Sequence, residues 1–298
     1  MNAGHRRLAV ALLLATPAMW AANIIVARWS ADWFPPHALA FWRWLFALVP
    51  MLAICGPGLW RMRAEALAEW RDLLLLAAFG MWVCGAFVYI AGATTTATNI
   101  SLIYAGAPIL IMLISALVFH ERLGAAQALG AAVALAGVLT VILKGDPRAL
   151  FALRFTVGDL WALTATICWA LYSVMVRHRR TRLDPFMRLT AITIGGVLIL
   201  APLTLVESFV IGPPALEWRV VFFAVAIVAL LPGFGAYQSY SWLLREIGAA
   251  RTGLILYLTP IYVAMLSWLL LGEPPRWYHA AGAPLVFAGL YLANRRRA

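Results

Sequence analysis

The sequence of 298 residues predicts an all-α integral membrane protein, in which ten transmembrane helices form two inverted five-helix repeats around a central cavity. The composition, ten long apolar segments and an internal repeat predict this fold. Hydrophobic residues make up 64% of the chain and charged residues 12%, against about 45–50% and 25% in ordinary globular domains. A water-soluble chain cannot bury that much apolar surface, because its own exterior needs polar cover. Lipid is therefore expected to surround most of the chain.

Ten segments are apolar enough to cross a bilayer, which takes about 20 largely apolar residues. Each is predicted to be helical, because lipid cannot bond to backbone N–H and C=O groups. The first segment follows basic residues as a signal peptide does, but its length and the membrane segments after it favour a retained helix. The ten segments cover approximately residues 8–27, 38–55, 72–91, 97–119, 125–143, 157–177, 186–206, 219–243, 249–271 and 278–294.

The formal net charge of +11 indicates the orientation of the chain in the membrane. With the N-terminus inside, sixteen of the 23 Lys and Arg residues fall on the inner side and seven on the outer side, and such a bias marks the cytoplasmic face. Both termini are therefore predicted to be cytoplasmic. A basic soluble chain would suggest nucleic acid as a partner. Here the basic residues lie between apolar segments, and no nucleic-acid partner is expected.

An internal repeat divides the chain into residues 1–148 and 149–298. Arg43 and Arg188 occupy corresponding positions in the two halves, each near the start of the second span of its half. Each half holds five spans, and because five is odd, the second half enters the membrane from the opposite side. Inverted repeats of this kind are typical of secondary transporters. The landmarks recur at a constant offset of 152 residues, with Pro108, Glu121, Gly130 and Gly137 matching Pro260, Glu273, Gly282 and Gly289.

The proline-to-glutamate blocks at 107–123 and 259–274, each followed by Gly–x6–Gly, resemble the EamA repeats of the drug/metabolite transporter superfamily. The resemblance covers essentially the whole chain. The aromatic-rich first half is similar to the YddG-type bacterial aromatic amino acid exporters. The resemblance implies export from the cytoplasm across a bacterial inner membrane. It also implies that the first, third, fourth, sixth, eighth and ninth helices surround the central cavity.

Aromatic and amide side chains on those six helices form the predicted substrate site. Several of these residues lie three, four or seven positions apart on one helix, and residues at such spacings share a helix face. Aromatic walls with a few hydrogen-bonding groups suit a flat apolar solute, although helix packing or an interfacial belt would also explain such residues. The predicted substrate-binding residues are Trp20, Asn23, Trp82, Tyr89, Asn99, Tyr104, Trp169, Tyr172, Tyr237, Tyr240 and Tyr257.

Two prolines are predicted to be hinges. Pro108 and Pro260 occupy equivalent positions in the fourth and ninth helices, and a proline inside a helix removes a hydrogen bond and bends it. A static kink is the alternative. Residues 232–235, Pro-Gly-Phe-Gly, mark a further weak point in the eighth helix, whereas the Gly–x6–Gly pairs are expected to allow close helix packing.

Charged residues inside the spans are scarce. No Asp or Glu falls in the middle third of a predicted span, so no proton or sodium relay is indicated, and facilitated diffusion is favoured. Arg43 is the one arginine predicted to lie well within a span. It could hold a substrate carboxylate, but snorkelling or pairing with backbone carbonyls is the favoured interpretation.

The sequence favours a secondary transporter that exports neutral amino acids with aromatic or large apolar side chains, or similar metabolites, by alternating access. Export of other small lipophilic metabolites or drugs and a passive channel stay open. A nucleotide-sugar carrier ranks low, because Arg43 alone supplies a basic group. A membrane enzyme ranks last, since no HExxH or DDxxD motif occurs and no catalytic residue is indicated. We expect no cofactor and no metal, a monomer, and only a small-molecule substrate and the bilayer as partners.

Overall fold

A computed structural model describes residues 3–30, 33–92, 94–95, 100, 103–121, 123–151, 156–212, 218–271 and 276–294. Within these ranges every regular element is a helix, and no strand occurs. The predicted all-α class is therefore confirmed for the described chain. Asn99 and Glu273 lie outside the described residues.

The long helices are numbered α1 to α10 in chain order. They are α1 (Ala3–Ser30), α2 (Pro36–Arg61), α3 (Trp70–Gly92), α4 (Ala107–Phe119), α5 (Ala125–Ile142), α6 (Val157–His178), α7 (Pro185–Val210), α8 (218–247), α9 (249–271) and α10 (Trp277–Asn294). A short helix, Arg63–Ala68, joins α2 to α3, and the 3-10 turn Pro147–Leu150 follows α5.

Seven of the described helices are long and apolar enough to cross a membrane, judged by length and composition. The helices α1 and α4 contain shorter apolar stretches, Arg7–Asn23 and Ala107–Phe119. The chain is therefore a multi-pass membrane protein, and the count of ten spans stays a prediction. The seven helices are Pro36–Arg61, Trp70–Gly92, Ala125–Ile142, Val157–His178, Pro185–Val210, Val221–Ile247 and Ala249–Leu266.

Three of the helices change their hydrogen-bonding pattern along their length. The helix α3 contains a π-helical segment at Ala78–Val83, and α8 contains one at Ala229–Ala236. The helix α9 contains a 3-10 segment at Leu254–Leu258. The two π segments occupy equivalent positions under the 152-residue offset, so the repeat extends to local backbone geometry.

Acidic side chains cap helix N-termini, where the first backbone N–H groups have no partner within the helix. Asp184 accepts hydrogen bonds from the backbone N–H groups of Phe186 and Met187 at the start of α7. Glu207, near the end of α7, accepts them from His37 and Ala38 at the start of α2, at 3.1 and 2.9 Å. These carboxylates are therefore occupied in fixing helix ends.

The helices α5 and α10 pack together through glycines. A Cβ on Gly130 would lie 2.5 Å from the carbonyl oxygen of Gly289, and one on Gly137 would lie 2.7 Å from that of Gly282. The early residue of each helix faces the late residue of the other, so the two helices run antiparallel. The predicted close-packing role of these four glycines is confirmed.

Candidate functional site

Six aromatic side chains from α1, α2, α6 and α8 meet in what we call the aromatic cluster. Trp20 lies 5.2 Å from Trp169 and 5.1 Å from Tyr240, measured between ring centroids. Tyr237 lies 5.5 Å from Trp169. Most of the contacts are edge-to-face, the geometry that the ring quadrupoles favour. The members of the cluster are Trp20, Trp44, Trp169, Tyr172, Tyr237 and Tyr240.

The aromatic cluster is closely packed. Tyr172 and Tyr240 are fully buried, and Tyr237 and Trp169 are 3% and 6% exposed. Five of the eleven residues predicted to bind substrate thus lie together, and they contact one another directly. A solute would reach the centre of the cluster only after rings move apart.

The aromatic cluster is bonded to the π segment of α3. The Tyr237 hydroxyl donates to the carbonyl oxygen of Gly80 at 2.7 Å, and the Trp44 indole N–H donates to that of Met81 at 3.1 Å. A π turn shifts the backbone bonding register, and in lipid the affected polar groups need partners from elsewhere in the protein. Gly80 also makes room for an aromatic ring, because a Cβ there would lie 2.6 Å from the ring of Tyr172. The cluster therefore stabilises an irregular turn at the middle of α3.

Two buried polar atoms of the aromatic cluster differ from the others because they have no hydrogen-bond partner among the described residues. The Tyr240 hydroxyl bonds to Ser173 Oγ at 2.9 Å. Within the described chain, the indole Nε1 of Trp169 and the hydroxyl of Tyr172 are buried without a partner at hydrogen-bond geometry. The Tyr172 hydroxyl lies near Ser241 and Arg188, and the Trp169 indole lies near the Tyr240 hydroxyl, but neither atom reaches hydrogen-bond geometry with these neighbours. A buried polar group without a partner costs about 1–3 kcal/mol, so these two atoms call for a functional explanation.

The structure places other predicted residues at the edge of the aromatic cluster. The Tyr89 hydroxyl donates to Asn23 Oδ1 at 3.0 Å, which joins α3 to α1. The Trp82 ring packs against Phe87 at 5.9 Å. Asn23 and Tyr89 thus form a polar link between helices beside the cluster.

Two described residues of the predicted set, Tyr257 and Tyr104, do not belong to the aromatic cluster. Tyr257 is 1% exposed and packs in a separate apolar cluster built from α4, α5, α9 and α10. Tyr104 is half-buried just before α4, and Asn99 lies outside the described residues. Tyr257 fits the helix-packing alternative better than substrate contact.

Each predicted hinge proline lies at the start of a regular α-helical segment. Pro108 is the second residue of α4, after Gly106 as the N-cap. Pro260 is the second residue of the α-helical part of α9, directly after the 3-10 segment Leu254–Leu258. In the first turn of α4 the missing N–H of Pro108 removes no helical bond. Pro260 lies inside the continuous helix α9, at the change from 3-10 to α geometry. Pro108 therefore follows a turn, Pro260 marks a junction between two kinds of helix, and their role as hinges stays a prediction.

Arg43 is buried beside the aromatic cluster. It is 4% exposed, and its guanidinium carbon lies 4.7 Å from the Trp44 ring centroid and 5.8 Å from that of Tyr237. Such cation–π contacts are typical of desolvated arginines. Among the described residues, no group accepts a hydrogen bond from Arg43 Nε.

Sequence reasoning missed Arg188, which the repeat pairs with Arg43. Arg188 is 6% exposed, and its Nη1 donates to the carbonyl oxygen of Val176 at 2.7 Å. It belongs to the wall of a cavity of about 500 Å³, which we call the arginine cavity. The correspondence of Arg188 with Arg43 in the repeat is the sequence signal that could have identified Arg188. The charged residues that line the cavity are Arg177, Arg179, Arg182, Asp184, Arg188 and Arg245.

The described residues contain no group of three or more His, Cys, Asp or Glu side chains that could hold a metal ion. The long apolar helices define the class as a helical multi-pass membrane protein. The sequence profile of the EamA-like transporter family matches residues 7–143 and again residues 156–295. The chain belongs to this family, and the two matches correspond to its two halves.

Relatives of similar length carry transporter names. The chain is 26% identical over 290 residues to "Uncharacterized transporter YyaM" of Bacillus subtilis, covering 95% of this chain and 92% of the relative. It is 27% identical over 292 residues to an uncharacterized transporter of Archaeoglobus fulgidus, covering 96% and 97%. It is also 26% identical over 294 residues to a "Probable terminal-alkyne amino-acid exporter" of Streptantibioticus cattleyicolor, covering 97% and 94%.

A solved structure titled "Crystal structure of protein" has the same fold. Its TM-score is 0.77 at 19% sequence identity, and the match covers 96% of each chain. At this identity the likeness shows the fold alone.

Proposed function

We propose that the protein is a secondary transporter that exports neutral amino acids with aromatic or large apolar side chains, or similar metabolites, by alternating access without ion coupling. The apolar part of the substrate would insert between the rings of Trp20, Trp169 and Tyr237, which lie edge to face at 5.2–6.1 Å. Flat apolar groups suit a site of this kind, because they can replace ring contacts with equivalent ones.

The unpartnered atoms Trp169 Nε1 and Tyr172 Oη carry this proposal. Both lie in a closely packed apolar centre, where leaving a donor without an acceptor is unfavourable. A substrate carrying an acceptor beside an apolar group would satisfy them when the rings open. The aromatic cluster would then bind substrate in one state and close the path in another.

The relatives support amino acids as the substrate class. The Streptantibioticus cattleyicolor protein, 26% identical over nearly the full length of both chains, is named as a probable exporter of a terminal-alkyne amino acid. The family and its other relatives are named as transporters, which supports a non-enzymatic role. We extend the YddG-type specificity for aromatic side chains to this chain on the basis of its aromatic cluster.

The proposed alternating access depends on the inverted repeat. The antiparallel seam of α5 and α10 and the matching π segments support an inverted relation between the halves. The junctions at Pro108 and Pro260 would let α4 and α9 tilt toward opposite ends of the molecule. The positive-inside bias supports cytoplasmic termini in a bacterial inner membrane.

The buried carboxylates of the described chain support transport without ion coupling. Asp159 and Glu207 are 4% and 8% exposed, and both lie near helix ends. Asp159 accepts hydrogen bonds from Thr156 N and Thr95 Oγ1, and Glu207 caps α2. A carboxylate that relays a cation must be free to exchange partners, whereas these two fix helix termini.

Counterflow into proteoliposomes tests the proposed function. Vesicles preloaded with unlabelled phenylalanine should accumulate labelled phenylalanine above empty vesicles, and a panel of twenty amino acids should rank the aromatic and large apolar ones first. Tyr172→Phe keeps the ring and removes only the unpartnered hydroxyl, so the fold should be retained. Affinity should fall about tenfold, as expected for one lost hydrogen bond of about 1–1.5 kcal/mol.

Tyr291→Phe is the matched control, because Tyr291 is 72% exposed and lies outside the aromatic cluster. Its counterflow should equal that of the wild type. Absence of counterflow for every amino acid would refute the proposed function. Equal affinity of Tyr172→Phe and wild type would refute the role of the Tyr172 hydroxyl.

A further inference from the structure

The arginine cavity has an exposed rim and a buried floor. Arg177, Arg182 and Arg245 are exposed at the rim, whereas Arg188 and Ser241 are buried at 6% and 5% exposure. The cavity of about 500 Å³ lies at the end of the molecule that the positive-inside bias predicts to be cytoplasmic. Its size is within the range of small-molecule sites.

The floor of the arginine cavity lies next to the aromatic cluster. Ser241 follows Tyr237 by one helical turn on α8, and Val176 follows Tyr172 by one turn on α6. Residues four apart share a helix face, so these walls continue from the cavity into the cluster. A molecule in the cavity is therefore one turn of helix away from the aromatic rings.

The guanidinium of Arg188 has unused bonding capacity toward the cavity. Its Nη1 donates to the carbonyl oxygen of Val176 at 2.7 Å, and its Nε has no acceptor among the described residues. A guanidinium presents five N–H donors in a fixed fork, which matches the two oxygens of a carboxylate. One neutral carbonyl does not compensate a buried positive charge.

The nearby acidic groups are occupied elsewhere. Asp72 pairs with Arg179 at 3.2 Å, and Glu69 accepts from Thr181 Oγ1 at 2.7 Å and from the backbone N–H of Arg182. The remaining acid of the cavity wall, Asp184, caps α7. In the described part of the chain Arg188 therefore makes no direct ion pair, although Glu69 and Asp72 lie close enough to act on its charge.

We propose that Arg188 binds the carboxylate of the substrate at the floor of the arginine cavity, before the substrate enters the aromatic cluster. This inference rests on the proposed function and narrows the substrate class to small carboxylates with an apolar body. The carboxylate takes the free edge of the guanidinium, and the apolar body faces Leu189, Ile192 and the cluster. The rim arginines attract the anion from the cytoplasm, since like charges around a cleft raise the local concentration of counter-ions.

Competition against labelled phenylalanine on the detergent-solubilised wild type tests the carboxylate requirement. Phenylpropionate keeps the carboxylate and lacks the amine, so it should compete. Phenylalaninol keeps the amine and lacks the carboxylate, so it should compete at least tenfold more weakly. Equal competition by the two compounds would overturn the inference without any variant.

Arg188→Gln removes the positive charge, whereas Arg188→Lys keeps the charge and removes the planar fork of N–H donors. Phenylpropionate affinity should fall at least tenfold in Arg188→Gln and less in Arg188→Lys. Arg148→Gln, an equal charge change at an exposed residue in the turn Pro147–Leu150, should bind like the wild type. Monodisperse elution on gel filtration checks the fold, and if Arg188→Gln fails to fold, Arg188→Lys and the compound series decide.

An anionic lipid headgroup shares the chemistry that Arg188 recognises, so binding is also measured in nanodiscs with and without phosphatidylglycerol. Unchanged phenylpropionate affinity in both supports a substrate site. Loss of phenylpropionate binding in phosphatidylglycerol nanodiscs would assign Arg188 to lipid and overturn the inference. Phenylalanine counterflow that is unaffected in Arg188→Gln refutes this inference alone, whereas Arg188-dependent phenylpropionate binding without any amino acid counterflow refutes the proposed function alone.

Discussion

Replacing Tyr237 with phenylalanine removes one oxygen atom from the centre of the protein. That oxygen donates to the carbonyl oxygen of Gly80 at 2.7 Å, in the π segment Ala78–Val83 of α3, and Tyr237 is 3% exposed. The variant therefore loses a short buried hydrogen bond and leaves a carbonyl that water does not reach. An orphaned buried polar group costs about 1–3 kcal/mol. We expect Tyr237→Phe to destabilise the protein by about 2 kcal/mol.

Two other tyrosines serve as controls for the loss of a hydroxyl group. The hydroxyl of Tyr257 is buried without a partner among the described residues, so Tyr257→Phe should leave stability unchanged or raise it. Tyr291 is 72% exposed on α10, so Tyr291→Phe should be neutral. Unfolding in detergent is followed by the reaction of a thiol dye with Cys55, Cys84 and Cys168. Equal unfolding midpoints for Tyr237→Phe and Tyr257→Phe would refute the role assigned to the bond with Gly80.

Two further predictions concern the α5–α10 seam and the helix junctions. Gly137→Ala would place a Cβ 2.7 Å from a backbone oxygen that cannot rotate away, so thermal unfolding should show a loss of about 1–3 kcal/mol. Gly92→Ala, at a helical residue where a Cβ meets nothing within 4 Å, should not destabilise the protein, and equal losses in the two variants would contradict the close contact at Gly137. Pro260→Ala should leave the fold intact and slow phenylalanine counterflow several-fold; an unchanged rate, with unchanged cysteine accessibility, would mean that the junction is not a hinge.

The sequence was sufficient to predict the membrane class, the repeat and most of the aromatic cluster, because each depends on local patterns. Apolar length predicts helices in lipid, and spacing along a helix predicts which rings share a face. Trp20, Trp169, Tyr172, Tyr237 and Tyr240 meet for this reason. The glycine pairs likewise predicted a close helix contact from their spacing alone.

Features that depend on contacts between distant helices were not predictable. Tyr257 lies in an apolar helix as the cluster tyrosines do, yet it packs against α4, α5 and α10. The π segment of α3 lies where side chains from α2 and α8 bond to its carbonyl oxygens, which no local pattern in α3 reports. Arg188 lies near a predicted span end, which gives no reason to single it out. Only the three-dimensional structure shows that the acidic side chains around it are bonded to other groups.

The glycine contact between α5 and α10 has the twofold symmetry of a contact between two identical surfaces. Gly130 faces Gly289 and Gly137 faces Gly282, while the repeat equates Gly130 with Gly282 and Gly137 with Gly289. Each partner therefore offers the same surface, as at a twofold homodimer interface. A free half would meet a second copy of itself through this same surface. Joining both halves in one chain makes their pairing independent of concentration.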